Sequence, residues 1–133
     1  LTSAVIASIP DDRLVQALVD YVVDFHVRGR VKRQAELVGE LPSGLRWIFT
    51  MWLADVEVQN GGFAQFLGLF RHFVPDAIEG YRRIGSPRLS IVERAVAAGD
   101  DFGSLDREFA KAPDDDGLRV AFIRRNVELC CVS

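Results

Sequence analysis

The feature that most restricts the fold is a run of apolar residues between positions 45 and 56 that recur every three or four residues. This spacing places them on one face of an α-helix, which has to pack against other elements. Trp47 and Met51 lie off this stripe, so a second element is expected to cover the other side of the helix. The chain is therefore predicted to be organised around a central core helix. The stripe consists of Leu45, Ile48, Phe49, Trp52, Leu53 and Val56.

Helical periodicity recurs on both sides of this segment. A first helix is predicted after Pro10, with Leu14, Leu18, Val22 and Phe25 on its core face. Later apolar stripes are separated by glycine and proline residues, which commonly end and begin helices. These patterns predict an all-α domain that spans residues 1–133, a compact bundle of about six or seven short-to-medium helices.

The segment 56–66 is open to two interpretations. Asn60-Gly61, flanked by Val56, Val58 and Phe63, is typical of a small hairpin with a two-residue turn. However, the helical period holds up to Val56 and resumes at Phe63. A helix, a corner at Asn60-Gly61 and a second helix are therefore preferred, with the hairpin as the alternative.

Composition limits the function classes. The chain has 19 acidic and 16 basic residues, and the resulting net charge of −3 disfavours direct binding to nucleic acid. No apolar run approaches the roughly 18 residues of a membrane helix. The two cysteines, Cys130 and Cys131, are adjacent and poorly placed for a disulfide, which favours a reduced, cytoplasmic protein.

No cofactor or metal is predicted. His72, Asp76 and Glu79 follow one another at steps of four and three residues, a spacing that gathers metal ligands on one helix face. Pro75 interrupts that helix, so these three residues are interpreted as ordinary surface residues.

The glycine-rich corner is the main candidate for a small binding site. Asn60, Gly61, Gly62 and Gln65 would line a polar pocket at the start of the following helix, with Glu57 beside it. Such a pocket would suit a small-molecule-binding or enzymatic domain. The alternative is structural, since the polar side chains of a tight buried corner are needed to satisfy its backbone groups.

The segment from Asp55 to Phe66, which contains Asn60-Gly61-Gly62-Phe63 followed by Gln65 and Phe66, carries a resemblance to a known family. Together with Ile84-Gly85 and an Ala/Val-rich helix, it resembles a bacterial domain family of unknown function. The likeness covers residues from about 47 to 127. The family's best-known member is a DNA-mimic protein that occupies the DNA-binding face of a transcription factor. The family pattern has an Asn shortly after the second aromatic, where this chain has Leu67-Gly68-Leu69.

The resemblance implies a helical fold and supplies no reaction and no cofactor. A DNA mimic needs carboxylates spaced like phosphates on one surface, so that they compete for the Lys and Arg residues of a partner. We therefore expect a non-catalytic domain that binds a partner protein. A homodimer is compatible with the high apolar content and with Trp47. The candidate partner surface comprises Asp100, Asp101, Asp114, Asp115 and Asp116.

Overall fold

The computed structural model describes residues 1–132, which form eight α-helices and contain no strand. This confirms the all-α prediction, with one or two more helices than expected. Short 3-10 segments precede α3 and α5 and follow α8, and a π-helix, Tyr21–Val27, continues α2. The α-helices are α1 (Ser3–Ser8), α2 (Asp11–Asp20), α3 (Gln34–Gly39), α4 (Ser43–Leu69), α5 (Val74–Ile84), α6 (Arg88–Ala98), α7 (Gly103–Lys111) and α8 (Asp116–Arg125).

The long helix α4 forms the centre of the bundle, as its apolar stripe predicts. Trp47 and Met51, which lie off that stripe, are also buried, so α4 is covered on more than one side. Helix α5 approaches it closely at Gly80, where a Cβ atom would lie only 2.9 Å from the Met51 Cγ. Trp47 packs against Phe122 of α8, with ring centroids 6.0 Å apart. The expected second element is thus a pair of helices, α5 and α8.

The hairpin alternative at 56–66 is wrong, because this segment belongs to α4. Helical structure continues through Asn60 and Gly61, and the break comes one residue later, at Gly62 (φ 73°, ψ −178°). This backbone conformation is accessible essentially only to glycine. The predicted corner between two helices is therefore confirmed, with the kink at Gly62 instead of Asn60-Gly61.

The residues predicted to form the core face of the first helix are buried only up to the start of the π-helix. Leu14, Leu18 and Val22 are fully buried as expected, but Phe25 is 63% exposed and stacks on Tyr21. A π-helix pairs residues i and i+5, so its wider turn rotates the following side chains relative to an α-helix. Val27 takes the buried position that the α-helical period assigns to Phe25.

Among residues 1–132, no helix combines the length and apolar character that crossing a membrane requires.

The two cysteines lie in different environments, which predicts different reactivity. Cys130 is fully buried, and burial raises the pKa of its thiol to about 12, whereas Cys131 is partly exposed. Since the thiolate is the reactive form, we expect iodoacetamide at pH 8 to modify Cys130 at least about 100-fold more slowly than an exposed thiol. Raising the pH to 9 still leaves Cys130 far below its pKa and unreactive.

The Cys131→Ser variant allows the reaction of Cys130 to be followed alone by intact mass. The native variant should stay unmodified and react fully in denaturant. Alkylation of the native variant at the rate of a small-molecule thiol would contradict the burial of Cys130.

Candidate functional site

A buried ionic network, here called the Asp55 cluster, joins four helices and the α5–α6 connection. Its members are Asp55, Tyr81, Ser86, Arg88, Asp115 and Arg119. Asp55, on α4, is its centre. Its Oδ2 lies 2.6 Å from Arg119 Nη2 and its Oδ1 lies 3.0 Å from Arg88 Nη1. The Tyr81 hydroxyl donates to Oδ1 at 2.6 Å.

A second buried carboxylate completes the network. Asp115, only 2% exposed, lies immediately before α8 and holds Arg119, with Oδ1 2.8 Å from Nε. Its Oδ2 accepts a hydrogen bond from the Ser86 hydroxyl at 2.7 Å, and the backbone N–H of Arg88 donates to the same Ser86 oxygen. Two carboxylates thus face two guanidinium groups. This balance of charge is what buried ions require.

Burial and the neighbouring charges together set the pKa values in the cluster. Burial raises the pKa of the Asp55 carboxyl, and the neighbouring Arg119, Tyr81 and Arg88 only partly offset this effect. Burial, reinforced by Asp55, also raises the pKa of Tyr81 well above its usual value. For Arg119, burial lowers the pKa, but Asp55 and Asp115 outweigh it and the net change is upward. Tyr81 and Arg119 therefore keep their protons near neutral pH and remain hydrogen-bond donors.

The two arginines occupy core positions of their helices. Arg88 precedes the buried Ile91, Val92 and Ala95 of α6 at helical spacing, and its guanidinium lies over the Phe109 ring, 4.6 Å from the centroid. Arg119 stands in the same relation to Phe122 and Ile123 of α8. A basic residue within an apolar stripe has to find a buried partner. An arginine at a position where the helical period predicts an apolar residue is therefore the feature of the sequence that indicates the Asp55 cluster.

A cavity of about 590 Å³ adjoins the cluster. Part of its wall is apolar, and Trp52 and Val56, two members of the predicted core stripe, remain only partly buried because they line this space. Exposed carboxylates of α2 and α8 also border it. The lining residues are Asp12, Val15, Gln16, Trp52, Asp55, Val56, Gln59, Arg88, Ala112, Asp114, Asp115, Asp116 and Arg119.

The residues predicted to line a pocket at the glycine-rich corner do not all line the same cavity. Asn60, Gly61 and Gly62 line a cavity of about 360 Å³ that faces α7. Glu57 and Gln65 are absent from its lining and hydrogen-bond to each other. Only part of the predicted set therefore shares one cavity.

The part of α4 that follows the Gly62 kink is already capped at its N-terminal end by a side chain. Phe63 N–H donates to Asp106 Oδ1 at 2.9 Å, so this backbone donor is not available to an anion. A Cβ atom on Gly62 would lie 2.5 Å from Asp106 Oδ2. These contacts match the structural interpretation of the corner, in which polar groups satisfy a tight turn of the backbone.

The residues of the predicted partner surface lie in two separate parts of the fold. Asp100 and Asp101 are exposed in the α6–α7 connection, and Asp114 and Asp116 are exposed at the start of α8. The placement of Asp115 on this surface is wrong, because its carboxylate points inward to Arg119 and Ser86. Asp12 of α2, which was not predicted, lines the same cavity as Asp114 and Asp116.

Trp47 is 7% exposed, with the Arg83 guanidinium over its ring, so it offers no free surface for a homodimer. Within residues 1–132, no group of three or more His, Cys, Asp and Glu side chains is arranged to hold a metal ion. His72 lies in the 3-10 segment Arg71–Phe73, whereas Asp76 and Glu79 belong to α5.

Comparison with known proteins identifies a family. The family described as DMP19-like protein matches residues 39–126, which includes α4 to α8 and every member of the Asp55 cluster. No match was found among curated proteins or solved structures. The role of the Asn60–Phe66 segment as a family motif stays a prediction. With about two thirds of its length matched, the chain belongs to the DMP19-like protein family.

Proposed function

We propose that this domain binds a partner protein through an acidic edge formed by Asp12, Asp114 and Asp116, in the manner of a DNA mimic. Membership of the DMP19-like family supports this proposal, because the family that the chain resembles has a DNA-mimic protein as its best-known member. Such a protein presents carboxylates in place of phosphates to the basic residues of its partner. Asp100 and Asp101 form a second, separate group of exposed carboxylates.

The observation that carries the proposal is that the acidic edge lacks neutralising partners. Among residues 1–132, none of its three carboxylates lies within 4.0 Å of a basic group, whereas other exposed acids do pair, including Asp11 with Arg124 and Glu108 with Arg94. Desolvation and the neighbouring Asp114 raise the pKa of Asp116, as expected where like charges crowd together. An uncompensated cluster of this kind attracts Lys and Arg side chains and speeds association with a basic surface.

Charge-neutralising substitutions test the acidic edge. The Asp12→Asn/Asp114→Asn/Asp116→Asn variant removes three charges and leaves side-chain oxygens, including the Asp114 oxygen that accepts from Asp116 N–H at 2.9 Å. We expect a basic partner captured from a bacterial lysate by the parent protein to lose at least about tenfold in affinity for this variant. Titration of the captured and purified partner measures the change.

The matched control is Asp20→Asn/Asp24→Asn/Glu40→Asn, which removes three exposed charges outside the cavity. This control should bind the partner within about twofold of the parent protein. Equal losses in the two variants would indicate a general effect of net charge and would count against the acidic edge. A loss confined to Asp100→Asn/Asp101→Asn would move the interface to the α6–α7 connection.

A further inference from the structure

The cavity beside the Asp55 cluster has features that a protein-binding edge does not need. It has a volume of about 590 Å³, within the roughly 300–1,000 Å³ that small-ligand sites occupy. Cationic and anionic side chains lie in the same wall, with Arg88 and Arg119 from the buried network and the acidic edge at the protein surface. A ligand that carries both signs of charge would match this arrangement.

Arg88 gives this wall a buried guanidinium that is paired with a single acid, Asp55. Arg88 is 9% exposed, its Nε has no hydrogen-bond partner, and Nη1 approaches Asp55 at 3.0 Å. The Arg119 Nε also has no hydrogen-bond partner, but the Arg119 guanidinium forms salt bridges with both Asp55 and Asp115. A buried guanidinium with unused donors is costly unless an acceptor reaches it. The planar donor array of arginine is well suited to a carboxylate.

The rest of the wall favours a cation at the other end of the ligand. The two acids and two arginines of the Asp55 cluster balance, so Asp12, Asp114 and Asp116 leave the cavity with a net negative charge. Trp52 is partly exposed to the same space. An indole face attracts an ammonium or guanidinium group through a cation–π interaction.

We propose that this cavity binds a basic amino acid with a free carboxylate, with the carboxylate toward Arg88 and the cationic side chain against Trp52 and the acidic edge. The cationic side chain offsets the excess of acid in the wall. Two sources share this chemistry: a free amino acid such as L-arginine or L-lysine, and the C-terminal residue of a peptide chain. This site shares the acidic edge with the proposed partner surface but also requires Arg88 and Trp52, so ligand binding and partner binding can be measured separately and either proposal can fail without the other.

Isothermal titration calorimetry tests the proposal with L-arginine, L-argininamide and the tripeptide Gly-Gly-Arg. We expect saturable binding of L-arginine or of the tripeptide, and the tighter of the two identifies the source. L-argininamide, which lacks the carboxylate, should bind at least about tenfold more weakly than the tighter of these two probes. Asp12→Asn should weaken binding about fivefold or more, since it removes one charge of the acidic edge.

Asp24→Asn is the matched control, because it removes an exposed charge from the π-helix outside the cavity. It should leave the affinity unchanged. Equal affinity for L-argininamide and for the tighter carboxylate-bearing probe would overturn the assigned role of the carboxylate, and equal effects of Asp12→Asn and Asp24→Asn would overturn the location. The absence of saturable binding of both carboxylate-bearing probes up to about 10 mM would overturn the proposal as a whole.

Discussion

Replacing Asp55 by alanine is expected to lower the free energy of unfolding by about 3–5 kcal/mol. Its carboxylate accepts from Tyr81 and is paired with both Arg88 and Arg119, so the substitution leaves two buried guanidinium groups facing one remaining acid, Asp115. Breaking a buried ion pair from one side is costly because the partner charge stays buried without compensation. Chemical denaturation of the variant and the parent protein gives the difference.

Two further variants distinguish the stability contributed by the Asp55 cluster from a general effect of removing an acidic side chain. Asp12→Ala, at an exposed position of α2, should change stability by no more than about 0.5 kcal/mol. Tyr81→Phe should cost about 1–2 kcal/mol, and its cost should largely disappear in the Asp55→Ala background, because the hydroxyl then has no carboxylate to bind. A cost below about 1 kcal/mol for Asp55→Ala would show that the Asp55 cluster contributes little to stability.

Gly62→Ala is expected to cost about 2–4 kcal/mol. The residue adopts φ 73° and ψ −178°, a conformation that disfavours any side chain, and the new Cβ would lie 2.5 Å from Asp106 Oδ2. The Asp106 carboxylate cannot simply move away, because it accepts from Phe63 N–H at 2.9 Å. The shift in the midpoint of denaturant unfolding measures the loss of stability. The slope of the free energy of unfolding against denaturant concentration should stay unchanged.

Gly68→Ala is the control within the same helix. Gly68 has helical backbone angles, and no atom lies within 4 Å of the position that a Cβ would occupy, so alanine should be neutral or stabilise by up to about 1 kcal/mol. A second control, Gly62→Ala with Asp106→Ala, removes the steric conflict but keeps the backbone strain and should remain less stable than the parent protein. Equal stability of Gly62→Ala and Gly68→Ala would contradict the kinked geometry.

The parts of the fold that follow local periodicity could be predicted from the sequence. The apolar repeat from Leu45 to Val56 defines the central helix, and the off-stripe residues Trp47 and Met51 indicate that other helices cover it. The kink follows from the only Gly-Gly pair in the chain. The position of Phe25 was missed because no simple pattern distinguishes a π-helical turn from an α-helical one, and that single change of period moves the side chain from the core to the surface.

The candidate site could be predicted only in part, because its residues come from distant parts of the chain. Asp55 and Arg119 are 64 positions apart, and local spacing carries no information about such a contact. Asp115 stands between two other acids and resembles part of an exposed cluster, although helix packing turns its carboxylate inward. The available clue was the occurrence of Arg88 and Arg119 at apolar stripe positions, which indicates buried charge without identifying the partner acid.

Competition by DNA tests the central claim most directly. The proposed acidic edge stands in for phosphates, so duplex DNA and this protein should compete for the same basic surface of the partner. Titrating duplex DNA into the purified complex should release the partner in a concentration-dependent manner, and the neutralised acidic-edge variant should be displaced at lower DNA concentrations than the parent protein. A ternary complex that retains this protein at saturating DNA would contradict the account.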